Sequence, residues 1–161
     1  MNRRIEELKK FYKLEPHVEG GFFSEIYTSP FSQNSRATAG SIYFLLAADN
    51  VSHFHKIDCD ELWYYHEGDG LKIYILRDGK LEEILLGKDF ERGQVTTAII
   101  PAGAIFAAEN LNPASYTFVS CMTTPKFNYA GFKLIARAEL KKFYPQADEK
   151  ILRLAYETVE D

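Results

Sequence analysis

Between Arg3 and Tyr12 the apolar residues Ile5, Leu8, Phe11 and Tyr12 recur among charges at the spacing of a one-sided helix. Pro16 limits how far that helix can run, because proline has no N–H to donate. Glu19-Gly20-Gly21 then reads as a tight turn, and beyond it the period changes to two. Strands are expected at Phe22–Thr28, Ser41–Ala47, Val51–Ile57, Glu61–His66, Leu71–Arg77, Leu81–Leu86, Thr96–Ile100, Ala104–Glu109, Ser115–Thr124 and Phe132–Ala136. Turn residues punctuate them, and Asp78-Gly79 is the strongest hairpin signal. No stretch between strands is long enough for helical crossovers, so an all-β sandwich or barrel is expected rather than a parallel α/β sheet. Helical periodicity returns at Arg137–Tyr144, stopped by Pro145, and at Asp148–Thr158, where Ile151, Leu152 and Ala155 share a face. With no repeat, low-complexity tract or linker, residues 1–161 read as one domain: a helix at about 3–12, a β roll at about 20–136 and helices at about 137–158.

Composition narrows the class. Hydrophobic residues make up 46% and aromatics 14% of 161 residues, enough for a real core and too many for disorder. The formal net charge is −4, with no basic block, so an electrostatic case for nucleic acid is missing. Runs such as Ile42 to Ala48 are too short to cross a bilayer as helices, and Met1-Asn2-Arg3-Arg4 leads into no apolar leader core, so no membrane partner is expected. Cys59 and Cys121 resemble neither a disulfide framework nor a zinc pair, and a reducing cytoplasm is the expected location.

The chemistry concentrates at His53-Phe54-His55 and Glu61. Side chains two apart on a strand share a face, so both imidazoles project together and a carboxylate arrives early in the next apolar run. Such groups suit a zinc, iron, manganese or nickel ion, with His53, His55 and Glu61 as ligands and open positions for substrate. The plainer alternative is a pair of histidines that hydrogen-bond to neighbours at a strand end. Strand phase sets Glu61, Trp63 and Tyr65 on one face, the acid-beside-aromatics lining of many ligand pockets. Glu25 and Tyr27 share another face and are further candidates, as acid/base and phenol. His66 has the opposite phase from Glu61 and is expected outside the site, and His17 is expected on a surface loop. Cys59, flanked by Asp58 and Asp60, lacks the electropositive setting of a nucleophile.

The spacing His53-x-His55, Glu61, Gly68 resembles the first motif of the cupin superfamily, and Pro101-Ala102-Gly103 falls where its second motif begins. Leu14-Glu15-Pro16-His17-Val18-Glu19-Gly20-Gly21-Phe22-Phe23-Ser24-Glu25, Ser41-Ile42-Tyr43-Phe44-Leu45-Leu46, Asp60-Glu61-Leu62-Trp63 and Thr124-Pro125-Lys126-Phe127 are similar to one cupin family in particular, DUF985 (cupin_5). The resemblance implies a double-stranded β-helix, a jelly-roll sandwich with short helices at both ends, and a homodimer. It names no reaction. The chain also departs from the superfamily pattern. Five residues, Lys56 to Asp60, separate His55 from Glu61, where the superfamily has three or four. Phe106 stands where the fourth metal ligand, a histidine, is expected, and phenylalanine cannot coordinate a metal. Glu25-Ile26-Tyr27-Thr28 lacks the arginine that relatives carry after the tyrosine. The expectation is therefore a small-molecule pocket without metal: His55 and Glu61 as catalytic residues, His53, Glu25 and Tyr27 contacting ligand, Trp63 and Phe106 as apolar walls. Isomerase- or epimerase-like acid/base chemistry on a polar molecule such as a sugar derivative fits that set. A metal-dependent isomerase or oxygenase using His53, His55 and Glu61 is the first alternative, and a non-enzymatic dimeric binding or storage protein is the second.

Overall fold

The computed structural model describes residues 2–159. Helix α1 (Asn2–Tyr12) leads into thirteen short strands. These are β1 (Glu15–Pro16), β2 (Phe22–Thr28), β3 (Ser32–Gln33), β4 (Arg36–Ala37), β5 (Gly40–Ala47), β6 (Val51–Lys56) and β7 (Asp60–Gly68). They continue as β8 (Leu71–Arg77), β9 (Lys80–Leu86), β10 (Thr97–Ile100), β11 (Ile105–Asn110), β12 (Tyr116–Thr124) and β13 (Lys133–Leu134). Helices α2 (Arg137–Phe143) and α3 (Glu149–Leu152) follow. One sheet runs β1-β2-β5-β12-β7-β10, the other β13-β6-β11-β8-β9, and β3-β4 is a separate hairpin. The strands of both sheets pair antiparallel, which makes a jelly roll of the cupin type.

Three apolar clusters hold it. Between the sheets, Phe44, Leu46, Trp63, Ile73, Phe106 and Val119 interdigitate. On the outer face of the smaller sheet, Phe54, Tyr74 and Ala107 are covered by Ile135, Leu140, Leu152 and Leu154. On the outer face of the larger sheet, Ile5 and Leu8 of α1 pack on Leu45 and Phe118. β5 is therefore buried on both faces over Phe44-Leu45-Leu46, which is why its sequence is a continuous apolar run rather than an alternation. α1 ends where Lys13 takes a left-handed conformation at φ 53° and Leu14 N–H returns to the Lys9 carbonyl at 2.9 Å. Arg4 then ties α1 to β7 through two bonds of 2.7 Å to the Glu67 carboxylate.

The expected Asp148–Thr158 helix is only Glu149–Leu152. Past Leu152 the backbone works for the sheet instead. Leu154 carbonyl accepts from Phe54 N–H at 2.8 Å, and Tyr156 bridges to Ala136. Those long-range bonds outweigh the local helical spacing. Phe132–Ala136 likewise contracts to β13, whose Lys133 and Leu134 pair with β6, and Ile135 N–H adds a bond to the Phe54 carbonyl at 2.8 Å.

Candidate functional site

Register decides what faces the interior. In β7, Glu61 sits between Thr123 of β12 and Ile100 of β10, and in β6, His55 sits between Phe106 of β11 and Leu134 of β13. The two residues thus come from opposite sheets and meet across the sandwich. Both line a cavity of about 150 Å³ with Trp63, Phe44, Phe23, Phe127 and Cys121. Glu25 and Lys126 stand at its mouth, paired at 2.9 Å.

The chain brings two further groups into this cavity from the segment before β2. The turn expected there forms, with Gly20 N–H bonded to the His17 carbonyl at 3.0 Å, but Glu19 is only 7% exposed and His17 lines the same space rather than the surface expected of it. Positive-φ Gly20, at 109°, lets the segment lie on β6; a Cβ there would fall 2.0 Å from the Val51 carbonyl oxygen. The Glu19 carbonyl accepts from His53 N–H at 2.8 Å, and the Gly21 N–H donates to Asn50 Oδ1 at 2.5 Å. The Glu19 side chain is thereby delivered inside, where Ser52 Oγ donates to its Oε1 at 2.7 Å.

A proton inventory follows from the fixed partners. His55 Nδ1 lies 2.7 Å from the His53 carbonyl, which only accepts, so Nδ1 carries hydrogen. Its Nε2 faces Glu19 Oε2 at 3.1 Å. His17 Nδ1 accepts from the Glu19 N–H at 3.3 Å and also faces Oε2, at 3.4 Å. Two ring lone pairs and one carboxyl oxygen converge, so a proton must sit among them. Burial decides where it rests. It pushes the Glu19 carboxyl above its ordinary range and the His17 and His55 imidazoles below theirs, which favours a neutral acid beside neutral rings.

Glu61 is different. It is 8% exposed, and among the described residues its carboxyl makes no ion pair; the Trp63 N–H and the Cys121 thiol lie beside it without a well-aligned bond. Burial first, and Glu19 second, raise it to about 7, while His55, Trp63 and Cys121 pull back less. The Trp63 indole N–H is buried and makes no bond of hydrogen-bonding geometry. The acid therefore lines the cavity without an ion-pair partner among the described residues.

The structure does not gather the rest of the expected site. His53 donates from Nδ1 to the Glu19 carbonyl at 2.7 Å and stacks on Tyr156 at 3.8 Å, beneath the Glu19-Gly20 segment and outside the cavity lining. Tyr27 also lies outside it. A bulge at Ile26 pairs Glu25 with Ile42 but Tyr27 with Ser41, which turns the phenol to the other face. Phe106 packs behind His55, ring centroids 4.1 Å apart, and belongs to the core. The ligand set His53, His55 and Glu61 does not fit a metal, because His53 lies outside the cavity and both ring nitrogens of His55 are spent, on the His53 carbonyl and on Glu19. Among the described residues no group of three or more His, Cys, Asp or Glu side chains is arranged to hold an ion. His66 is exposed and bonds Ser120 Oγ at 2.9 Å. The Cys59 thiol is buried, which raises its pKa to about 11.

The jelly roll with an interior pocket defines a cupin. The chain matches the family Cupin_5, described as Cupin superfamily (DUF985), over residues 6–135, and it belongs to that family. The solved structure of protein SO0799 from Shewanella oneidensis is 36% identical, with a TM-score of 0.88 over 94% of this chain and 96% of that one. A hypothetical protein from Leishmania major is 32% identical, with a TM-score of 0.84 over 94% and 98%. Uncharacterized protein YML079W of Saccharomyces cerevisiae is 26% identical over 125 residues, 68% of this chain but 62% of the yeast protein. These likenesses establish fold and family. None of these descriptions names a reaction, so chemistry has to be argued from the cavity.

Proposed function

We propose that this cupin binds a small polar molecule, such as a sugar derivative, and acts on it by metal-free acid/base chemistry of the isomerase or epimerase type. One observation carries the reading: a buried carboxyl poised near neutrality, Glu61, shares a cavity with a second acid and imidazole that hold one proton, Glu19 and His55. A general acid/base works best when its pKa lies near the working pH, and Glu61 at about 7 meets that condition. In this reading Glu61 takes a proton from the ligand. The His55–Glu19 pair sets the local charge and gives or accepts a proton across its 3.1 Å contact.

The test is solvent exchange. Aldoses, ketoses and their amino and acid derivatives are incubated with the protein in deuterium oxide and followed by NMR for label at the carbon next to the carbonyl. Wild type should introduce deuterium into at least one of them, and Glu61→Gln should slow that about 100-fold or more. Exchange that is equal in the two proteins removes Glu61 from the chemistry.

A further inference from the structure

We infer that the ligand of this cavity carries a positive charge, a small ammonium group seated against Glu61 between aromatic walls. The inference rests on the cavity being a binding site, as proposed above, and adds the ligand's chemical class.

The first ground is the charge inventory. Carboxyls of Glu19, Glu25 and Glu61 face the space, against one lysine and two imidazoles. Lys126 Nζ is held by Glu25 Oε2 at 2.9 Å and by Thr28 Oγ1 at 2.6 Å. The imidazole nitrogens facing Glu19 are occupied there. Among the described residues lining the cavity, an anionic ligand would therefore meet no uncommitted cation. The second ground is Glu61 itself. A carboxyl this deeply buried ordinarily finds a hydrogen-bond or ion-pair partner; among the described residues this one has no ion pair, and the neighbouring Trp63 N–H and Cys121 thiol make no well-aligned bond to it. A bound ammonium supplies both. The third is the wall. Phe23, Phe44, Trp63, Phe127 and Tyr129 surround the acid, with Phe44 edge-on to Trp63 at 5.6 Å and Phe127 edge-on to Tyr129 at 4.9 Å. Ring faces attract cations, and more strongly out of water. Small amino alcohols and amino sugars present such an ammonium group.

Trp63 is the chain's only tryptophan, so its emission and its single indole N–H resonance report on the cavity alone. Three probes of similar size separate charge from shape: ethanolamine, ethylene glycol and glycolate. Each is smaller than the cavity, whose 150 Å³ equals about five waters. At pH 8 ethanolamine should move the Trp63 signals saturably, at least tenfold more tightly than ethylene glycol, and glycolate should not. Glu61→Gln should abolish that preference while thermal unfolding stays cooperative. A variant-free check uses pH: ethanolamine affinity should rise between about pH 6 and pH 8 as Glu61, faced by Glu19, His55 and Cys121, loses its proton. Equal or tighter binding of the glycol or glycolate, or no saturable ethanolamine shift up to about 100 mM, overturns the inference. Glycol binding that still needs Glu61 would sink only the charge assignment and leave the proposed function standing. Ethanolamine binding with Glu61-independent exchange would do the reverse.

Discussion

Glu19 Oε2 stands 3.1 Å from His55 Nε2, and neither atom has an uncontested hydrogen to give. Because His55 Nδ1 is committed to the His53 carbonyl, the contact is attractive only when a proton lies on Oε2 or on Nε2. Burial of both partners favours the neutral arrangement, carboxylic acid to imidazole. The ring nitrogens should therefore report a neutral Nδ1–H tautomer at pH 7 in long-range 1H–15N spectra. Glu19→Gln keeps a donor toward Nε2 and an acceptor for Ser52 Oγ but cannot pass a proton. It should fold normally and lower any Glu61-dependent exchange by about 100-fold. A His55 whose Nδ1 lacks hydrogen would contradict this.

The pH dependence of stability separates Glu61 from its neighbours. Its folded pKa is raised to about 7 from 4.5, so between those values the folded chain holds a proton that the unfolded chain has lost. Stability from this group is fully present below about pH 4.5 and is lost as pH rises through about 7. The lowered pKa values of His17 and His55 give the opposite slope below their ordinary range, so total stability is a poor readout. The difference between wild type and Glu61→Gln isolates the acid. In urea titrations the variant should gain on wild type steadily from about pH 5 to pH 7 and level off above. A constant difference across that range would refute the assignment.

Neither cysteine should behave as a nucleophile. Burial lifts Cys59 to about 11 and Cys121 well above its ordinary value, with Glu61 adding to both. Ellman's reagent at pH 8 should find no fast thiol in the native protein and two after denaturation. Rapid native labelling would show that the Cys59 turn opens.

Gly20→Ala tests whether the segment before β2 is part of the site. The added methyl meets the Val51 carbonyl at 2.0 Å in a backbone conformation that alanine rarely adopts. The segment has to lift, taking Glu19 and His17 with it. The barrel should persist, with a loss of about 1–3 kcal/mol, while the Trp63 response to ligand disappears. Retention of that response would mean the cavity works without the segment.

Leu8→Ala is the complementary case. Leu8 is buried between α1 and the outer face of the larger sheet, beside Leu45 and Phe118 and on the side of that sheet away from the cavity. It should cost about 2–4 kcal/mol in denaturant titrations yet leave the Trp63 response unchanged.

Strand phase made most of the roll legible. Phe22–Thr28 and Leu71–Arg77 have the expected bounds, and Asp78-Gly79 forms the hairpin with φ 52° and 71°. The same phase carried Glu61 and Trp63 inward and His66 outward. It failed where one extra residue resets the count, as at Ile26, and where an acid looks solvated until its partners are known. Glu19 sits among His17, Gly20 and Gly21, an ordinary turn composition. What buries it, Ser52 and His55, comes 33 and 36 residues later. The only sequence cue is the pair of glycines, which permit a close backbone approach as well as a turn. His53 shows the converse. Its strand phase matches His55, but Glu19 and Tyr156, both remote in sequence, close over it.

Tyr156 stacks on His53 and donates from its hydroxyl to the Val18 carbonyl at 3.0 Å, so a late residue clamps an early segment against a middle strand. That tie spans 138 residues of sequence. A chain clipped before position 156 would lose it, leaving residues 17–21 to the bonds they make with His53 N–H, Ser52 Oγ and Asn50 Oδ1.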